Sequence, residues 1–181
     1  AGISAAILPV LPLEESGPWC EAADAEGIET IMLAAPTAPD ERLPRVAARC
    51  RGFVYSVGLL GVTGERESLA ETATALAARL KQITDTPVLV GVGVSNAEQA
   101  YQATRVADGV IQGASLVRRL MDSGPDAVGD YVAEVRAAGL RYLEIPVAGA
   151  DSINLANAGA LHAALAPAHG GGVLVHCASG N

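Results

Sequence analysis

The sequence predicts an α/β fold built from parallel βα repeats. Short runs of β-branched and aliphatic residues recur along the 181-residue chain, and most are followed by an Ala-rich segment with helical periodicity. Strands that are apolar nearly throughout, and that are separated by helices, indicate a parallel sheet covered on its faces. Periodicity leaves two architectures open, a partial (β/α) barrel and an open doubly wound sheet.

Seven segments have the composition of strands, namely residues 5–11, 30–35, 52–57, 88–93, 109–113, 141–147 and 172–177. Helices are predicted between them in WCEAADAEG, DERLPRVAARC, SLAETATALAARLKQIT, NAEQAYQATRVA, PDAVGDYVAEVRAAG and NLANAGALHAALAPA. Ser95 with Glu98 matches a capping box, and Gly27 and Gly139 stand where a glycine ends a helix. These boundary signals agree with the alternation of strands and helices.

Composition and charge narrow the classes of partner. Half of the residues are hydrophobic and 18% are charged, which argues against a disordered chain. The net charge is −8 with both signs scattered, so no basic surface for nucleic acid or an anionic membrane is predicted. The longest apolar runs are too short to span a bilayer. We therefore expect a soluble protein without nucleic-acid or membrane partners.

Cysteine and histidine usage gives no metal or disulfide pattern. Cys20, Cys50 and Cys177 are odd in number and lack CxxC spacing, so neither a disulfide framework nor a zinc site is encoded. His162 and His169 are predicted on a helix surface and in a loop. We expect a cytoplasmic protein with no metal and no cofactor of its own.

Four motifs between Leu11 and about Ala138 point to one family. The segments LPLEES, RGFVYSVGLLGVTG, VLVGVGVS and DGVIQGASLVRRL occur in an order and spacing that resembles the tryptophan synthase alpha subunit. The resemblance implies a TIM barrel that cleaves indole-3-glycerol phosphate to indole and glyceraldehyde 3-phosphate. It also implies transfer of indole to a pyridoxal-phosphate beta subunit, and it makes the strands here the fourth through eighth of the barrel.

The resemblance also identifies which catalytic groups have no counterpart. In the family a glutamate and an aspartate on and just after the second strand are catalytic, and no residue here matches them. Val10 stands where the family has an aspartate, which indicates either repacking after loss of function or natural drift. Tyr55 and Thr63 match indole-pocket and loop positions, and core packing and a turn contact are expected for them. Glu14 and Glu15 are expected to complement a helix dipole.

Three glycine-containing segments form a candidate phosphate site. The family binds phosphate through backbone N–H groups at strand ends and at the start of a short helix. The matching residues are Gly61, Gly64, Gly91, Gly93, Gly113 and Ser115. The alternative is that these glycines only form tight βα turns. Because the segments follow successive strands, we predict a retained pocket that binds phosphate or sulfate.

The last 40 or so residues resemble a different family. From about Gly139, the stretch GLRYLEIPVAGADSINLANAGALHAALAPAHGGGVLVHCASGN is similar to the middle of a small cysteine-phosphatase domain related to beta-lactamase-hydrolase-like proteins. The resemblance implies Cys177 as a nucleophile assisted by His176. No arginine follows to bind the phosphate oxygens, so these two residues are interpreted as vestigial and phosphatase activity is not expected.

Together these features suggest a splice of two families, 1–138 from the barrel and 139–181 from the phosphatase-like segment, packed into one sheet. A start at AGIS without Met favours the same interpretation. We expect an engineered or selected chimera without catalysis of its own. The alternative is an alpha-like lyase of tryptophan biosynthesis whose carboxylates come from a partner chain, and only then is a beta subunit expected. Strand 5–11 and a strand between Tyr142 and Cys177 are expected to be left as sheet edges. Because the segments 5–11 and 172–177 carry no charged residue, these edges predict a homodimer.

Overall fold

The structure is a computed structural model, and it describes residues 5–58, 66–91, 94–142 and 173–176. In these ranges the strands are β1 (Ala5–Ile7), β2 (Glu29–Ile31), β3 (Leu33–Ala34), β4 (Val54–Val57), β5 (Val88–Gly91), β6 (Gly109–Gln112), β7 (Arg141–Tyr142) and β8 (Val173–His176). The helices are α1 (Gly17–Ala25), α2 (Leu43–Arg49), α3 (Arg66–Lys81), α4 (Ala97–Thr104) and α5 (Ala114–Ala137), with a 3-10 turn at Leu13–Glu15.

Every strand pair is parallel. β1 pairs with β2, and a six-stranded sheet has the order β3-β4-β5-β6-β8-β7. β2 and β3 are the two parts of the predicted strand 30–35, interrupted at Met32. Apart from β2 and β3, which continue one another, consecutive strands from β1 to β6 are paired neighbours. Parallel strands laid down in one direction, with crossovers of the usual right hand, carry their helices on one face, as in a barrel. The predicted partial barrel of βα repeats is confirmed.

The two faces of the sheet carry different apolar clusters, because side chains alternate along each strand. The outer face packs Val54, Val88, Val90 and Val110 against the helices. On the inner face, Ile31, Phe53 and Leu89 form a buried cluster. The partly buried Ile7, Tyr55 and Ile111 pack against it. The inner face is thus the half-covered interior of the barrel.

The side of the sheet at the amino ends of β5 and β6 is tied together by Asp108. Its Oδ2 accepts hydrogen bonds from the Val88 N–H at 2.8 Å and from Lys81 Nζ at 2.9 Å. The Asp108 N–H donates to the Val88 carbonyl at 2.9 Å. These contacts join α3 to β5 and β6 at their amino ends. The carboxyl ends of the strands, where parallel barrels build their functional sites, lie on the opposite side of the sheet.

Several predicted boundaries are corrected by the structure. β1 ends at Ile7 rather than at residue 11, and Val10 is 93% exposed. The cap of α4 is Asn96 rather than Ser95: its side chain accepts from the Gln99 N–H at 2.8 Å. Gly27 and Gly139 have φ of 66° and 83°, as a glycine that ends a helix requires.

The first half of α5 was not predicted from the sequence. α5 begins at Ala114, directly after β6, and is broken at Gly124, where φ is 80° and Pro125 follows. It therefore consists of a short helix after β6 and a second helix, the predicted one. No helix of the described part of the chain is long and apolar enough to cross a membrane.

β8 lies inside the sheet, between β6 and β7. Of the two strands in the region where the second sheet edge is predicted, β8 is therefore interior, and β7 is the end strand among the described residues. Residues 143–147 of the predicted strand 141–147, and the predicted helix after it, lie outside the described residues.

Candidate functional site

The carboxyl ends of β4, β5 and β6 lie side by side. The backbone register places Val57 opposite Gly91, and Gly91 opposite Ile111. Gly91 is the last residue of β5, and Gly113 follows the last residue of β6 as the N-cap of α5. Two of the three predicted glycine segments thus reach the same side of the sheet, where parallel barrels bind their ligands.

The start of α5 offers backbone donors. The carbonyl of Gly113 accepts the first helical bonds, from the N–H groups of Leu116 and Val117, both at 3.0 Å. The N–H groups of the first turn that precede these bonds have no intrahelical acceptor, and they point out of the helix start. Gly113 and Ala114 are exposed, and Ser115 is half-buried. This arrangement fits an anion.

Gly91 is a glycine for a steric reason. A Cβ at this position would overlap the side chain of Tyr55, lying 2.5 Å from Cε1 and closer still to Cζ and the hydroxyl. The carbonyl of Gly91 also accepts a hydrogen bond from the Gly58 N–H at 3.1 Å, which joins the ends of β4 and β5. The ring of Tyr55 therefore crosses the inner face onto β5. A phosphate contact at Gly91 stays a prediction.

The other predicted site residues separate into two groups. Gly61, Gly64, Gly93, Thr63, Cys177, His162 and His169 lie outside the described residues. The backbone of His176 pairs with Gln112, so it ends β8 beside the end of β6. Glu14 forms an ion pair with Arg42 at 2.8 Å in the 3-10 turn. Val10 makes no core packing, so the repacking interpretation has no support.

Burial raises the pKa of the Tyr55 hydroxyl. The phenol is therefore neutral at physiological pH and is able to donate or accept a hydrogen bond. Around it, the inner face is apolar, with Leu89 fully buried and Ile111 partly buried. A flat aromatic group fits such a surface better than a charged one does.

A polar cluster that the sequence did not reveal lies beside the start of α5. Gln112 is 1% exposed, and its Nε2 donates to the carbonyl of Val94 at 3.2 Å. Ser115 Oγ contacts the same carbonyl at 3.5 Å, and the Arg119 guanidinium donates to the carbonyl of Ser95 at 3.1 Å. These hydrogen bonds thus join the segment after β5 to the end of β6 and the start of α5.

A sequence model of the tryptophan synthase alpha chain matches residues 1–156. The chain belongs to the tryptophan synthase alpha chain family. It is 47% identical over 129 residues to the alpha chain of Streptomyces coelicolor, covering 71% of this chain and 48% of that one. It is 45% identical over 150 residues to the alpha chain of Thermobifida fusca, covering 78% and 55%. The chain spans about half the length of these relatives.

Solved structures agree with the family. The tryptophan synthase alpha2beta2 complex of Pyrococcus furiosus gives a TM-score of 0.65 at 37% identity, over 75% of this chain and 56% of that one. The aminoacrylate-bound tryptophan synthase of M. tuberculosis gives 0.62 at 32% identity, over 75% and 50%. The barrel-like curvature expected from the motifs is that of the family.

The interpretation of the chain as an engineered or selected chimera is wrong, and the comparisons favour the alternative interpretation, in which the chain belongs to a lyase family. The family match extends to residue 156 and so crosses the predicted junction at 138/139. The comparisons give no support to a cysteine-phosphatase-like fragment. The position of a structural boundary near residue 138 stays a prediction.

Proposed function

We propose that the protein acts in the cleavage of indole-3-glycerol phosphate to indole and glyceraldehyde 3-phosphate, as an alpha chain of tryptophan synthase. The observation that carries the proposal is the family match over residues 1–156. The adjacent carboxyl ends of β4, β5 and β6 support it, because barrel enzymes build their sites on this side. A cytoplasmic location stays a prediction from the cysteine content.

The described residues supply the binding half of such a site. In this proposal the start of α5, at the exposed Gly113 and the half-buried Ser115, binds the phosphate of the substrate through backbone N–H groups. Tyr55 and Ile111, on the inner face, provide a partly buried apolar surface for the indole ring. In this proposal the phosphate of the substrate lies at the start of α5, and its indole ring lies against the inner face of β4 and β6.

In this proposal, the catalytic carboxylates are not among the residues of this sequence. The family's catalytic glutamate and aspartate have no match among these residues, and each positioned acid or base contributes about 10²- to 10⁴-fold to a rate. We place them on the amino-terminal half of the barrel, outside the 181 residues of this sequence. Completion of the barrel brings that half to the same side of the sheet.

A beta subunit is the proposed second partner. The related Pyrococcus furiosus protein forms an alpha2beta2 complex, which supports an equivalent assembly here. In that assembly a pyridoxal-phosphate beta subunit accepts the indole that the alpha site releases. Phosphate or sulfate is the proposed small ligand of this chain in isolation.

Fragment complementation tests the proposal. The chain is mixed with the amino-terminal half of the Streptomyces coelicolor alpha chain, and indole release from indole-3-glycerol phosphate is followed. A second version of the chain ends at residue 156, so that it lacks β8. We expect turnover from a mixture and none from either half alone.

Two tyrosine variants provide the test of the site and its control. Tyr55→Ala is expected to abolish turnover in the mixture, whereas Tyr101→Ala, at a residue that is 43% exposed on α4, leaves it unchanged. If both versions of the chain bind the amino-terminal half and no mixture releases indole, the lyase assignment is wrong.

A further inference from the structure

Three buried polar atoms lie where the end of β6 meets the two parts of α5. They are Oε1 of Gln112, Nε of Arg119 and the hydroxyl oxygen of Tyr131, and none has a hydrogen-bond partner among the described residues. Gln112 is 1% exposed and Tyr131 is 2% exposed. A buried polar atom that stays unpaired shifts the folding equilibrium against the native state by about tenfold. Three such atoms in one place therefore indicate a shared partner.

The three side chains are close neighbours. The guanidinium carbon of Arg119 lies over the Tyr131 ring, 4.4 Å from its centroid, in a cation–π contact. In an unbroken helix, two residues twelve positions apart are separated by about 18 Å. The kink at Gly124 makes the contact possible. Burial raises the pKa of the Tyr131 phenol, and the side-chain amide of Gln112 is near enough to oppose that rise.

Hydrogen bonds to the loop after β5 fix two of these side chains. Nε2 of Gln112 donates to the Val94 carbonyl at 3.2 Å, so the amide cannot turn over without placing oxygen against oxygen. A terminal nitrogen of Arg119 donates to the Ser95 carbonyl at 3.1 Å. With these bonds in place, Gln112 Oε1 still needs a donor and the Arg119 Nε–H still needs an acceptor. The Tyr131 hydroxyl is able to act as either.

The chemistry of the three groups selects the partner. A direct chain from Arg119 through the Tyr131 hydroxyl to Gln112 is opposed by geometry, because the guanidinium lies over the face of the ring and a phenol oxygen accepts near the ring plane. The positive charge of Arg119 excludes a cation, and the side-chain carbonyl oxygen of Gln112 repels an anion. A small neutral molecule that both donates and accepts fits all three groups. A buried water has these properties and makes about three hydrogen bonds.

We propose that a single buried water molecule is bound between Gln112, Arg119 and Tyr131. The water accepts from the Arg119 Nε–H, donates to Gln112 Oε1 and pairs with the Tyr131 hydroxyl. It thereby joins both parts of α5 to the end of β6. The site is independent of the proposed substrate, since side chains alternate along a strand and Gln112 shares the helix-covered face of β6 with Val110.

A crystal structure of the 181-residue chain, at a resolution that shows ordered water, tests the proposal directly. We expect one water oxygen within about 2.7–3.2 Å of Gln112 Oε1, Arg119 Nε and the Tyr131 hydroxyl oxygen. In solution, a ROESY spectrum is expected to show dipolar cross-peaks from water to the Arg119 Nε–H and to the Gln112 amide protons. Dipolar contact and proton exchange have opposite signs in this spectrum. A direct hydrogen bond from Tyr131 to Gln112, with no water beside it, would overturn the proposal.

Two variants remove partners of the water, and a third is the matched control. Tyr131→Phe removes the buried hydroxyl, and Gln112→Leu removes the acceptor. Tyr101→Phe removes a hydroxyl from a side chain that is 43% exposed on α4. We expect Tyr131→Phe to lower the melting temperature by about 2–4 °C, Gln112→Leu by at least as much, and Tyr101→Phe not at all.

The water cross-peak at the Arg119 Nε–H separates a bound water from a purely structural effect of these variants. Both Tyr131→Phe and Gln112→Leu are expected to weaken it, because each leaves the water with one partner fewer. Tyr101→Phe is expected to leave it at the wild-type intensity. If the cross-peak keeps that intensity in Tyr131→Phe and Gln112→Leu, or is missing from the wild-type chain, no water is bound between these side chains and the proposal is wrong.

Discussion

The substitution Gly91→Ala tests how the inner face of the barrel is packed. The new Cβ would lie 2.5 Å from Cε1 of Tyr55, whereas real Cβ contacts are essentially never under 3.0 Å. The aromatic ring is rigid, so the whole side chain of Tyr55 must rotate away from β5. Its neighbours on the inner face, Leu89 and Ile111, restrict that rotation.

The cost follows from two opposing terms. Overpacking of this kind costs about 1–3 kcal/mol. Replacing a glycine in a strand by alanine recovers about 0.5–1 kcal/mol of backbone entropy. We therefore expect Gly91→Ala to lower the free energy of unfolding by about 0.5–2 kcal/mol, since the smaller term offsets only part of the larger.

A double-mutant cycle with Tyr55→Ala isolates the contact. The free energy of unfolding is measured by urea denaturation for the wild type, both single variants and the double variant. In the Tyr55→Ala background, Gly91→Ala is expected to cost nothing or to stabilise slightly. Gly113→Ala is the matched control, because its Cβ would meet no atom within 4 Å and φ is −125°. An equal cost of Gly91→Ala in both backgrounds would refute the steric reasoning.

Three further predictions concern stability and assembly. Asn96→Ala removes the cap of α4 and is expected to cost about 1 kcal/mol in urea denaturation; an unchanged midpoint contradicts the cap. Burial raises the pKa of the Cys50 thiol from 9.0 to about 11. The native state therefore holds its proton while the unfolded state loses it, and stability is expected to fall by about 2–3 kcal/mol between pH 9 and 11. Cys50→Ala should remove that part of the slope. The end strands β1 and β7 predict a homodimer, so light scattering that gives the 18.3 kDa monomer at low micromolar concentration contradicts it.

The strands were predictable from the sequence because each is a short apolar run in a sheet covered on its outer face. β4, β5 and β6 were placed within a few residues of their observed bounds. The sequence does not predict the first half of α5, because Gly124 and Pro125 indicate the end of a helix. In the structure they instead produce a kink between two helical segments of α5. The interior place of β8 depends on pairing with β6, which lies far away in the chain.

The candidate site was predictable only in part, for a similar reason. Glycines at strand ends are visible as local signals, and Gly113 does begin α5 as they indicate. The contact of Tyr55 with Gly91, and the hydrogen bond from Gln112 to Val94, join residues on different strands and loops. Local patterns carry no information on such pairs, so the sequence alone does not show that the Tyr55 side chain requires a glycine at position 91.

The position of β8 bears on how the barrel is completed. β8 lies beyond residue 156, where the family match ends, yet it pairs with all four residues of β6, from Gly109 opposite Val173 to Gln112 opposite His176. In a closed ring of eight parallel strands the eighth pairs with the first, and β6 corresponds to the eighth by the order of the family motifs. A strand has two edges, and β5 already occupies the other one. A first strand from an amino-terminal half must therefore displace β8, and the free energy of that displacement opposes assembly of the complete site.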